Sequence, residues 1–236
     1  GYRSRHAVVG VTAEDRIDRA AELIDRALQA APGNAEAWIV RGDFNRLRGK
    51  SAEAIEDYRK ALALKPDDAN ANLQLAALYA SEQRYDEARK HVDAVRTRLA
   101  DNAFVNYLYA LIEFRKKNFA AAEKALDQAL RKEPNHLPSL LLAGSIHYAS
   151  GNYHKPIGPL RTVLERAPGS LNARRMLAAA TLRSGQVQRS IELVEQGLAD
   201  APGDAGLLSL LAEAHIQNDD LARALPLLER IAKSNP

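Results

Sequence analysis

Side chains that could do chemistry fall into three groups. His147 and His154 stand seven apart in HYASGNYH, with His136 upstream. Two imidazoles two turns apart on one helix could share a metal ion, but Gly151 lies between them and reads as a turn that interrupts the helix. His147 also shares a recurring position with Tyr79 and His215, which suits packed rings rather than metal ligands. The second group is cationic. Arg175 and Arg183 lie in a run, 155–189, with seven basic residues against one acid, Glu165; its local charge is +6 while the rest of the chain carries −3. A guanidinium can grip a carboxylate or phosphate through two parallel hydrogen bonds, so this run points either to an anionic partner or to a solvated basic surface. The third group is aromatic: NAFVNYLYALIEF (102–114) holds four of the chain's thirteen aromatic residues.

Other chemistry is missing. No nucleophile–base set, phosphate loop or metal-ligand spacing is visible. The acidic pairs Glu14–Asp15 and Asp67–Asp68 fall near helix starts, where the helix dipole accounts for them. The absence of cysteine removes disulfides, thiolate ligands and thiol nucleophiles. The expectation is a non-enzyme with no catalytic residue, cofactor or metal. A net charge of +3 is small for a sequence-independent nucleic-acid binder, so no nucleic acid is expected. No run of about 18 apolar residues exists to span a membrane. The chain starts at Gly1 with no leader pattern, so any targeting segment is expected to have been removed or to lie outside this fragment.

The elements that must position these groups follow a repeat. Pro32, Pro66, Pro134, Pro168, Pro202 and Pro236 keep a spacing of 34 or its double, with Ala100 in the one empty slot. Small residues recur in phase (Gly42, Ala76, Ala110, Gly144, Ala178, Ala212), as do bulky ones (Ile24, Tyr58, Val92, Leu126, Leu160, Val194, Leu228). Small residues let two helices approach, bulky ones fill the gap between them, and proline ends the second helix. Gly49, Gly151 and Gly185 suit a tight turn between the helices. Each unit is therefore a helix–turn–helix pair that must stack on its neighbours to bury its apolar face. The prolines of HKPIGPL, Pro156 and Pro159, predict a late start or distorted first turn near 155–160.

The stretch 34–66, with Trp38, Gly42, Ala54, Tyr58, Ala61 and Pro66 in register, resembles a tetratricopeptide repeat (TPR). The resemblance covers the chain as one solenoid, 1–236. Its units are 1–34, 35–68, 69–102, 103–136, 137–170, 171–204 and 205–236, expected to be part of a longer array. It implies an all-α, right-handed superhelical solenoid of helix–turn–helix TPR units. The first helix of unit 1–34, GYRSRHAVVG, departs from the pattern; its second helix is expected to start near Thr12 with a Thr-x-x-Asp cap. Residues 141–186 are similar to repeats of bacterial PEP-CTERM system TPR-repeat lipoproteins. That implies a periplasmic or outer-membrane-associated setting beside exosortase and exopolysaccharide functions.

In TPR proteins the first helix of each unit lines a concave groove. The resemblance implies that Phe104, Tyr107, Leu111, Phe114 and Arg115 face it, with 106, 109, 110 and 113 directed to the core. Unit 137–170 adds Pro138, Leu141, Ser145 and Tyr148, and unit 171–204 adds Asn172, Arg175, Ala179, Leu182 and Arg183. The alternative is that adjacent repeats bury these rings between them. The slots that clamp a terminal carboxylate in chaperone-binding TPR domains hold Ile39, Asp43, Gln74, Phe104 and Leu108, which do not match. The expected partner-binding residues are Phe104, Tyr107, Leu111, Phe114, Arg115, Leu141, Tyr148, Arg175 and Arg183. The expected partner is a protein or peptide, acidic in character. The rival class is an anionic exopolysaccharide stacked on the aromatic face. A homodimer through the uncapped last helix, which carries Leu228 and Ile231, is a third expectation.

Overall fold

The residue at every thirty-fourth position decides where the first helix of each pair begins. Asn34, Asp68, Asn102, Ser170 and Asp204 each accept a hydrogen bond from a backbone N–H two or three residues on, at 2.9–3.4 Å. These caps satisfy donors that the helix leaves unpaired. The sixth such residue is His136, which makes no side-chain cap.

The structure, a computed structural model, describes residues 12–234. Among them are thirteen helices and no strand. In chain order these are α1 (Ala13–Ala30), α2 (Ala35–Leu47), α3 (Ser51–Leu64), α4 (Ala69–Ser81), α5 (Tyr85–Arg96), α6 (Ala103–Arg115), α7 (Phe119–Lys132), α8 (Leu137–Ala149), α9 (Ile157–Arg166), α10 (Leu171–Arg183), α11 (Val187–Asp200), α12 (Ala205–Gln217) and α13 (Leu221–Ser234). They fall into two compact units, Gly1–Leu99 and Ala100–Pro236. Helix α1 starts on a capping box in which Thr12 and Asp15 exchange hydrogen bonds. The reading of GYRSRHAVVG as an irregular first helix lies outside the described residues.

Within each pair the turn is built the same way. Gly49, Gln83, Lys117, Gly151, Gly185 and Asp219 all have φ between 56° and 83°, the left-handed region where a side chain is strained. Just before four of the first helices, the carbonyl two residues ahead of the cap also finds a partner. Trp38, Asn72, Asn106 and Arg174 donate to the carbonyls of Pro32, Pro66, Ala100 and Pro168, each six residues back. Three different residue types thus perform one task, which is why the sequence does not advertise it.

The first unit packs around Tyr58, Leu75, Tyr79 and Val92, all fully buried. It also buries charge: Asp57 accepts from Arg41 at 2.6 Å and from Asn45 at 2.8 Å. In the second unit Ala110, Leu126 and Ile146 form one cluster, and Leu160, Leu177, Leu193, Val194 and Leu207 another. Helix α6 is more buried than the two-faced reading allowed. Asn106, Ala110 and Glu113 are buried as expected, but so are Val105, Leu108 and Ile112, while Tyr109 is only half-buried. Helix α6 packs against its own partner α7 and against α8 of the next pair, so its core surface is wide.

Helix α9 starts at Ile157, after Tyr153–Pro156 form a turn. Pro159 therefore falls in the first helical turn, where its missing N–H would have had no helical partner. The delay accommodates both prolines.

Candidate functional site

Four first helices of the second unit, α6, α8, α10 and α12, wall a cleft of about 500 Å³. Phe114 comes from α6; Ser145, Tyr148 and Ala149 from α8; Asn172, Arg175, Met176 and Ala179 from α10; Gly206 and Leu210 from α12. The cleft arises because Ala149, Ala179 and Gly206 stand beside Phe114 and Tyr148 on its walls, in slots that hold the larger Arg115, Leu111 and Phe104 on α6. Large rings next to small residues leave a concavity. Its volume is in the range of small-ligand and side-chain pockets, about 300–1,000 Å³.

Of the nine residues expected from sequence, Phe114, Tyr148 and Arg175 line this cleft. Phe104 is 40% exposed and Tyr107 half-buried. Their rings stack at 6.3 Å, and Tyr107 meets His136 edge-on at 5.3 Å. Burial pushes the Tyr107 hydroxyl above its ordinary pKa. Leu111 is half-buried against the Ala110–Leu126 cluster. Leu141 is half-buried between two core clusters, against Leu160 on one side and Leu140 and Val163 on the other. Leu182, expected in the groove, is 1% exposed and belongs to the core. Arg115 is exposed at the end of α6.

The basic run 155–189 is less free than its composition suggested. Its cations reach acids outside the run: Lys155 pairs with Glu123 at 2.9 Å, Arg183 with Glu213 at 3.2 Å and Arg189 with Glu192 at 2.9 Å. Arg183 is further held by the Tyr148 hydroxyl, whose hydrogen bond is the main cause of its raised pKa. Glu213 lies in the next unit, 205–236, so a window confined to 155–189 misses it. Arg175 differs. Its Nη1 stands 3.9 Å from Asp204, at the limit of an ion pair, and its buried Nε has no hydrogen-bond partner.

His147 and His215 are packing residues, whereas His154 is exposed. His215 is buried, and its Nδ1 lies 3.8 Å from Asp220. The shielded Nδ1 of His147 lies 3.7 Å from Glu123. Among the described residues no group of three or more His, Cys, Asp or Glu side chains is arranged to hold a metal ion. No described helix is long and apolar enough to cross a membrane.

Sequence reasoning missed Ala149, Met176, Gly206 and Leu210. Gly206 occupies the same repeat slot as Phe104 and Asn172 and could have been found by extending the slot rule to the last unit. Met176 and Leu210 sit one position after the Arg175 slot, in the slot of Leu108, which the rule gave neither to the groove nor to the core.

Comparison with known proteins agrees with the repeat pattern. The tetratricopeptide repeat profile matches residues 13–69, 107–170 and 141–205, and a second profile of the same repeat matches 46–112 and 181–236. The chain belongs to the tetratricopeptide repeat family. It is 28% identical over 143 residues to ER membrane protein complex subunit 2 of Xenopus tropicalis, covering 58% of this chain and 48% of that protein. It is 34% identical over 77 residues to Protein O-mannosyl-transferase TMTC1 of Homo sapiens, covering 33% of this chain and 9% of that one. The chain thus spans about half the length of the Xenopus relative. Among solved structures it resembles PilW, a widely conserved type IV pilus biogenesis factor, with a TM-score of 0.70, 21% identity and coverage of 84% of this chain and 91% of that one. It also resembles YrrB, a TPR protein with an unusual peptide-binding site, with a TM-score of 0.66, 17% identity and coverage of 80% and 97%. The fold is the all-α TPR solenoid, an architecture that typically serves as a non-catalytic scaffold for protein–protein interaction.

Proposed function

We propose that the chain is a non-catalytic scaffold that holds a protein or peptide segment in the cleft between α6, α8, α10 and α12. One observation carries this reading: an open apolar concavity of about 500 Å³ bears two aromatic rings and a guanidinium on its walls. Apolar walls supply affinity, since burying one ring removes about 150–250 Å² from water. The polar groups Ser145, Asn172 and Arg175 orient the ligand. The description of YrrB as a TPR protein with a peptide-binding site lends support to a peptide.

The wider setting is part of the same proposal. We read the chain as a continuous array of seven units, part of a longer protein in the bacterial envelope. We place it beside exosortase and exopolysaccharide functions, on the strength of residues 141–186. Anionic polysaccharide is the second reading, favoured by the exposed Phe104 ring stacked on Tyr107. A contact between copies through α13 is favoured by exposed Leu221, Leu225 and Leu228.

The test is a selection of short random peptides on the intact chain, followed by affinity measurement against Ala179→Trp, which fills the cleft. Recovered peptides should lose binding to that variant. Binding of purified anionic polysaccharide, lost in Tyr107→Ala and kept in Ala179→Trp, would replace the peptide reading with the sugar one.

A further inference from the structure

The cleft has one guanidinium with unmet hydrogen-bonding capacity, and its surroundings define what would meet it. Arg175 offers five N–H donors. Its Nε is shielded from water without an acceptor, and its terminal nitrogen lies 3.9 Å from Asp204, too long for a hydrogen bond. Asp204 cannot move closer without cost, because its other oxygen caps α12 by accepting from the Leu207 N–H at 2.9 Å. The arginine stem lies over the bare backbone of Gly206, where a Cβ would stand 3.0 Å from its Cδ. A buried donor without a partner is costly, and a charge-assisted bond to an incoming anion removes that cost. Of the other two expected arginines, Arg115 does not line the cleft, and Arg183 is already paired with Glu213 and held by Tyr148. Beside Arg175 the cleft surface is apolar, formed by Met176, Ala179 and Leu210.

We infer that the cleft selects peptide segments in which an acidic side chain directly neighbours a bulky apolar one, the acid meeting Arg175 and the apolar group lying against Met176 and Leu210. This rests on the peptide reading of the cleft and goes further by assigning Arg175 as the specificity-determining residue and Asp204 as the resident competitor for it.

The experiment uses the peptides recovered from the random selection on the intact chain. The expected result is enrichment of Asp or Glu beside Leu, Ile, Phe or Trp. Affinity of those peptides should fall about tenfold or more in Arg175→Ala, recover in part in Arg175→Lys, and change little in Arg183→Ala. Asp204→Asn removes the competing charge but keeps a capping residue, since Asn34 and Asn102 cap α2 and α6 in this chain; it should tighten binding several-fold. Circular dichroism of each variant confirms folding, and the Asp204→Asn result stands even if Arg175→Ala unfolds. Peptides enriched without an acid, or acidic peptides indifferent to both Arg175→Ala and Asp204→Asn, overturn this inference and leave the scaffold reading intact. No recovered peptide, or peptides that bind Ala179→Trp unchanged, overturns the peptide reading itself and this inference with it.

Discussion

The ring of Tyr58 occupies the space that a side chain on Gly42 would need: a Cβ there would stand 2.7 Å from Cε1 of the ring. The same relationship recurs between Gly144 and Leu160, also at 2.7 Å. The small and bulky series of the repeat are therefore two halves of one contact, in which the first helix gives up a side chain so that the second can fill the gap. Tyr58 is fixed in that position by its hydroxyl, which donates to Asp43 at 2.6 Å, and burial raises its pKa. Gly42→Ala should lower stability by about 1–3 kcal/mol through overpacking, seen as a lower thermal midpoint. Combining it with Tyr58→Val should recover part of the loss, because Ala76 and Val92 already form that pair in the next repeat. An unchanged midpoint for Gly42→Ala would mean that the helices are not in contact there.

The six left-handed turn residues give an opposite prediction. Gln83, Lys117 and Asp219 carry side chains at φ of 62°, 63° and 56°, where the left-handed conformation costs about 1–2 kcal/mol. Lys117→Gly should stabilise the chain by somewhat less than that, since glycine loses more chain entropy on folding. Gly185→Ala, at φ 83°, should destabilise it. Thermal or denaturant unfolding reads both.

Acid sensitivity should begin near neutral pH. Burial holds His147 below its ordinary pKa of 6.5, and the nearby Glu123 offsets this only in part. His91 is lowered as well, by burial first and then by Arg59 and Lys90. A histidine with a depressed folded-state pKa binds its proton more weakly folded than unfolded. Stability is therefore unaffected well above pH 6.5 and falls as pH drops below that value toward the folded pKa. The carboxylates of Asp68 and Glu123 act in a separate window: their lowered pKa values lend stability above about pH 4.5 that is lost on further acidification. Urea denaturation at a series of pH values should show the first decline between pH 7 and 5, and His147→Gln should reduce it. A decline confined to pH below 4.5 would sink the histidine argument.

Leu228 tests the contact between copies. It is 43% exposed, whereas Tyr58, Val92, Leu126, Leu160 and Val194, in the same repeat slot, are at most 2% exposed. Light scattering over a concentration series should show association that Leu228→Glu abolishes. A monomer at all concentrations would remove that proposal.

The sequence by itself determined the period, the pairing of helices and the positions of their ends. Helix caps, turns and small-for-large complementarity act between residues close in the chain or one repeat apart, so periodicity exposes them. It also foresaw the delayed start of α9, because proline acts on its own backbone. Only the tertiary structure decided which of the expected groove residues share a cleft. Slots at 104, 107 and 111 follow the same rule as 114, yet Phe114 alone of these joins Tyr148 and Arg175, because the concavity depends on small residues supplied by α8, α10 and α12. The fate of the arginines was decided in the same way. Arg183 and Arg175 look alike in sequence, but the acid that neutralises Arg183 comes from α12, while the one nearest Arg175 is occupied in capping that helix. Charge balance depends on distance in space, which a linear window does not measure.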